Sequence, residues 1–145
     1  MKLIKMTLGV SLALGGAAWA HQGVQNAAVM ARMNSMSAIA DSVKVIGTMA
    51  RGTLEFDATA ARLAATEIAA QAARTPALFR APEDDPKSEA RAAIWTDFEG
   101  FVEKSNALEA LALDLSQTIS APSDLAPALT RLADSCKACH GDYRD

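Results

Sequence analysis

Near the end of the chain, Cys136, Lys137, Ala138, Cys139 and His140 form a C-x-x-C-H run, with five residues after it. That spacing is the attachment signature of a c-type haem. Each thiol adds to a vinyl group of the porphyrin as a thioether, and the adjoining imidazole reaches the iron as proximal ligand. On a helix the two cysteines stand three apart and His140 four beyond Cys136, so all three occupy neighbouring parts of one face. A second protein ligand to the iron then has to come from upstream.

Two other chemistries use a C-x-x-C pair. A thioredoxin-like dithiol opens a helix after a strand, and no strand pattern precedes this one. Structural zinc takes four ligands. Cys136, Cys139 and His140 supply three, and the only other histidine is His21. The haem reading leads.

Residues 1–20 read as an export signal: Lys2 and Lys5 make a positive start, Met6 to Leu14 an apolar core, and Ala18-Trp19-Ala20 a small-x-small cleavage site. The apolar run falls short of the ~20 residues that span a bilayer, and no later segment is longer. The expectation is cleavage near Ala20, a periplasmic location, and a mature domain over residues 21–145 without a membrane span. Loss of both signal lysines leaves 12 basic residues against 17 acidic ones, moving the net charge from −3 to −5. Two haem propionates would deepen it. An acidic surface argues against nucleic acid or anionic lipid as partner and suits a basic redox partner. Both cysteines belong to the motif, so none remains for a structural disulfide.

The mature composition is Ala-rich and lacks strand-like alternation, which predicts an all-α chain. Four helices are expected. The first spans residues 23–50, with Met33, Met36, Ile39 or Ala40, Val43, Ile46 and Met49 at bundle spacing and Gly52 just past its end. The second spans 58–74, capped by Asp57, with Leu63 and Ile68 among alanines whose small size suggests close helix approach. Residues 75–88, carrying Pro76, Pro82 and Pro86, form a crossover loop with Leu78 and Phe79 tucked back. The third helix spans 88–120. The fourth, capped by Asp124 or Ser123, carries Leu125, Leu129, Leu132, Cys136, Cys139 and Tyr143 on one side. These lengths and connections predict an antiparallel four-helix bundle with haem c on its C-terminal helix.

Histidine scarcity narrows the sixth iron ligand. His21 sits at the mature N-terminus, which leaves the thioethers of Met30, Met33, Met36 and Met49, although methionine at helical spacing is commonly core filler. No Ser/His or paired-carboxylate arrangement points to catalysis, and the chain is read as not an enzyme.

At this point the residues resemble the class II c-type cytochromes, the cytochrome c′ and cytochrome c-556 family. The marks are the C-terminal motif with Asp142-Tyr143-Arg144 after it, and Ala93-Ile94-Trp95 opening the third helix. Arg51-Gly52 to Phe56-Asp57 at the first turn, and Arg32 four residues before Met36, complete them. The resemblance implies the same bundle, Arg32 near a haem propionate, Met33 at the haem edge and Arg144 beside the proximal histidine. Met33 replaces the glutamine common after that arginine in c′ members. Met36 falls at the position facing the distal side of the iron. In c-556-like members a methionine there ligates iron. In c′ members the position is bulky and apolar, occasionally Met, and the iron is five-coordinate. The resemblance also implies a homodimer through the first two helices.

Two functions follow. One is an electron carrier with His140 and Met36 on the iron. The other is a gas-binding protein, a sensor or scavenger taking nitric oxide or carbon monoxide at an open distal site.

Overall fold

The computed structural model describes residues 23–145; the export segment and His21 lie outside the described residues. Helix α1 spans Ala27–Ala50. It begins later than the expected residue 23. The N–H groups of Gln25 and Asn26 donate to the Asp85 carboxylate at 2.8 and 3.0 Å, and Asn26 caps the helix by accepting from Ala28 and Val29. The other end closes as expected around Gly52, at φ +70°. Gly52 N–H reaches Met49 O and Thr53 N–H reaches Thr48 O, both at 3.0 Å, which is a Schellman closure.

Helix α2 spans Ala58–Leu78, capped by the Asp57 carboxylate on the N–H groups of Thr59 and Ala60. It continues past Arg74, the expected end, with Pro76 inside it. Proline removes the helical bond to the carbonyl four residues back, which is that of Ala72. The hydroxyl of Ser105, reaching over from another helix, donates to Ala72 O at 2.8 Å. Phe79 is buried just beyond, as expected.

The expected third helix is not continuous. Residues 89–91 are extended beside the C-terminal tail: Ala90 bridges Arg144, Arg91 N–H donates to Tyr143 O, and Asp145 N–H donates to Glu89 O. Those backbone bonds compete with a helical start at Ser88. A single turn, α3 (Ala93–Thr96), follows, and Asp97 at φ −132° ψ 53° separates it from α4 (Phe98–Thr118). A 3-10 turn, Pro122–Asp124, leads into α5 (Leu125–Tyr143). Asp124 does not cap α5. Its carboxylate folds back onto the N–H groups of Ser120 and Ala121, at 2.8 and 2.9 Å, and tightens the turn instead.

The four long helices form an antiparallel bundle in which α2 packs on α1 and α4, and α5 packs on α4 and α1. Ile46, Ile68, Ile119, Leu125 and Leu132 are fully buried along its axis. On α2 the inward face is Ala61, Ala64, Ala65, Ala69 and Ala72, so the small side chains bring helices close within one chain. Leu63 points outward at 64% exposure, between the buried positions of that stripe. The inward face of α1 is more polar than the sequence suggests, because Arg32, Ser35 and Ser42 are buried beside Val29, Ile39 and Ile46. A second apolar cluster of Phe79, Ile94, Phe101 and Tyr143 sits apart from the bundle core, with Cys139 packed against it. No helix among the described residues is long and apolar enough to cross a membrane.

Candidate haem-binding site

Leu125, Ala128 and Leu132 bury one face of α5, and continuing that three-to-four step carries the face to Cys136, Cys139 and Tyr143. The two cysteines are half-buried and Tyr143 is buried, whereas His140, on the flank of the stripe, is exposed. The helix thus presents two thiols and an imidazole at the end of the bundle that holds the second apolar cluster.

A largely apolar cavity of about 410 Å³ opens there, within the range of roughly 300–1,000 Å³ usual for cofactor sites. Helix α1 contributes Arg32, Met33 and Met36, and the end of α5 contributes Cys139, His140 and Arg144. Phe79, Ile94 and Phe101 form its floor, and residues 87–90 form a rim. Six of the seven site residues expected from sequence therefore meet at one cavity. Cys136 lies one helical turn before His140, outside the lining. Among the methionines, Met33 and Met36 face the cavity, Met49 belongs to the bundle core, and Met30 is half-buried elsewhere on α1.

Burial pushes the thiols of Cys136 and Cys139 upward, with Lys104 countering it at Cys139. Partial burial, then the Arg144 charge, lowers the His140 pKa. Both effects favour the neutral, metal-ligating form of the imidazole. Two thiols three residues apart, an imidazole beside them and a largely apolar cavity fit a haem c.

Arg32 is 3% exposed, and its guanidinium donates to three backbone carbonyls: Leu78 at 3.0 Å, Ala81 at 2.6 Å and Glu83 at 2.7 Å. It also lies 4.7 Å from the Phe79 ring centroid and 5.4 Å from that of Trp95. Two of its five N–H donors remain beyond those three bonds. Arg144 pairs with Glu89 through Nε, at 2.6 Å, and through Nη2. The loop between α2 and α3 is thus held at one end by Arg32 and Asp85, and at the other by the C-terminal tail.

Sequence reasoning missed Asp97, whose carboxylate caps α4 through Gly100 N–H and accepts the Tyr143 hydroxyl at 2.6 Å. It also missed Lys104, whose ammonium donates to Ala138 O inside the C-x-x-C-H run and pairs with Asp142 at 2.9 Å. Neither is legible without the fold, since each acts across 30 or more residues of chain; a charged residue at the start of a helix was the only local hint.

The family model described as Cytochrome C′ matches residues 27–144. Cytochrome c′ of Cereibacter sphaeroides is 34% identical over 121 residues, covering 80% of this chain and 81% of that protein. Cytochrome c-556 of Agrobacterium tumefaciens (strain II Chrys) is 32% identical over 117 residues, covering 78% and 93%. The solved structure of Rhodopseudomonas palustris cytochrome c′ matches with a TM-score of 0.77 at 26% identity, over 83% of this chain and 98% of that one.

Proposed function

This chain belongs to the cytochrome c′ family, which carries haem c, and we propose that it is a periplasmic electron carrier with His140 and Met36 as its iron ligands. The observation that carries this reading is that Met36, on α1, and His140, on α5, line the same cavity. Met33 lines it too, but Met36 stands at the position that resembles the ligand of c-556-like members.

The bound haem supplies one-electron chemistry. This chain's residues supply the rest. Cys136 and Cys139 hold the cofactor covalently. His140 would ligate the iron through its imidazole, and Met36 would supply a thioether, a ligand that favours the reduced state and raises the potential. Phe79, Ile94 and Phe101 keep water from the floor of the cavity. The export pattern of residues 1–20 supports delivery to the periplasm, and the net charge of the mature chain supports a basic redox partner. Assembly as a homodimer through α1 and α2 belongs to the same reading.

The reduced absorption spectrum tests it. Sharp, resolved visible bands that ignore carbon monoxide are expected, and Met36→Ala should turn them into a broad high-spin spectrum that shifts with the gas. A wild-type spectrum already of that second kind would replace the electron carrier by a gas-binding site. An unchanged spectrum in Met36→Ala would exclude Met36 as the ligand.

A further inference from the structure

Three cations line the cavity: Arg32, Lys87 and Arg144. Two of them are committed to partners of the chain itself. Arg32 is buried against three carbonyls, and Arg144 is paired with Glu89. Lys87 differs. It is exposed at the rim, and its ammonium is in none of the ion pairs among the described residues.

The position of Lys87 is nevertheless fixed. Its backbone N–H donates to Asp85 Oδ1 at 2.9 Å, and the other oxygen of that carboxylate takes the Gln25 and Asn26 N–H groups ahead of α1. The lysine stem lies over Gly23, its Cε 3.7 Å from where a Cβ would stand. Gly23 has φ +96°, a conformation that side chains rarely adopt, so the stem lies over bare backbone. The loop that carries Lys87 is held down by the Arg32 guanidinium.

Haem would bring two propionate carboxylates to a cavity that is largely apolar. A carboxylate there requires a cation or water. We infer that Lys87 is a propionate-binding cation of this site, beside Arg32, which also holds the loop that presents it. The inference rests on the haem reading above. The titratable and charged groups that line the same cavity with it are Glu89 from the loop, Arg32 from α1, and Cys139, His140, Tyr143 and Arg144 from α5, while Asp85 lies two residues before it in the loop. Asp85 attracts the Lys87 charge without forming an ion pair with it, and Glu89 is paired with Arg144.

The test is the pH dependence of the midpoint potential in the haem-loaded protein, compared among wild type, Lys87→Gln, Lys87→Arg and Lys44→Gln. Lys44 is exposed on α1 and does not line the cavity, so its variant removes one charge without touching the site. An opposite charge close by lowers a carboxylate pKa. Removing Lys87 should therefore move the propionate-linked inflection upward by roughly one pH unit. Lys87→Arg should keep the wild-type inflection, and so should Lys44→Gln. Coincident inflections in Lys87→Gln and wild type would overturn the assignment, as would an equal movement in Lys44→Gln. A denaturing gel that fails to stain for haem would remove the haem reading itself and this assignment with it. A stained gel with coincident inflections removes the assignment alone.

Discussion

The Ser105 hydroxyl on α4 donates to the Ala72 carbonyl on α2 at 2.8 Å, where Pro76 has no N–H to offer. Both Ser105 and Ala72 are buried, so the carbonyl cannot turn to water. The bond lets α2 run through a proline to Leu78 and deliver Phe79 to the cavity floor.

Ser105→Ala should therefore destabilise the protein by about 1–3 kcal/mol, the usual cost of an unsatisfied buried acceptor. Pro76→Ala restores an N–H at the right position, and in the Ser105→Ala background it should recover much of that loss. Denaturant unfolding of the four proteins of this cycle measures the coupling. Strict additivity would show that the hydroxyl does not stand in for the missing helical bond.

Arg32 holds the loop between α2 and α3 by bonds to three carbonyls, and replacing it by Leu leaves those carbonyls facing an apolar side chain. Charge-assisted bonds contribute about 1.5–3 kcal/mol each and are not additive, so a loss of about 3–5 kcal/mol is expected. Arg32→Lys should recover only part, because an ammonium does not reproduce the planar fork. Unfolding midpoints check the magnitude, and limited proteolysis should find the new cleavage sites between residues 79 and 92.

How much of this was legible in advance depended on range. The helices followed from periodicity and local capping: Asp57 and Gly52 act within a few residues and were readable as such. The cavity wall was readable in part, since Cys139 and His140 announce themselves by type and spacing, whereas Met36 stood out from Met30, Met33 and Met49 only through the family resemblance. The split of the third helix was not. The late start follows from residues 89–91 pairing with residues 143–145, more than 50 positions away, and the apolar pattern of 94–119 continues smoothly across the break at Asp97. Asp124 shows a further limit. An acidic residue before a helix reads as its cap, and only the turn geometry decides that its oxygens go back to Ser120 and Ala121. The family resemblance put Arg32 near a haem propionate; its burial against carbonyls became visible only once the loop was placed.

Asp85 makes the joint between this loop and α1 sensitive to acid. Its carboxylate accepts the N–H groups of Lys87, Asn26 and Gln25, which hold its pKa below the ordinary 3.8. A depressed carboxylate adds stability that is complete above its unfolded value and is lost as the pH falls through the lower folded value. The joint should thus stay intact down to about pH 4 and loosen below it. Amide hydrogen exchange at Gln25 and Asn26 should accelerate on that acid limb ahead of the core helices. Asp85→Ala, which has no side-chain acceptor, should show the faster exchange already at neutral pH. Equal protection in the variant would mean that the carboxylate does not hold the joint.

Gly100, Asp97 and Tyr143 form a contact that leaves no room for a methyl group. A Cβ at residue 100 would lie 2.5 Å from Asp97 Oδ2 and 2.8 Å from the Tyr143 hydroxyl oxygen. In the wild type the hydrogen bond to Asp97, then burial, pushes the Tyr143 phenol up to about 12. A raised phenol pKa contributes stability that is complete below the unfolded value, about 10, and is lost as the pH rises through 12. Gly100→Ala should displace the Asp97 carboxylate, costing about 1–3 kcal/mol as overpacking, and bring the phenol back toward about 10. Tyr143 is the single tyrosine, so an ultraviolet titration reads its ionisation without assignment. Tyr143→Phe should lose the same alkaline stability limb while tolerating the Gly100→Ala change better. A phenol that titrates at its ordinary value in the wild type would show that Asp97 does not hold its proton.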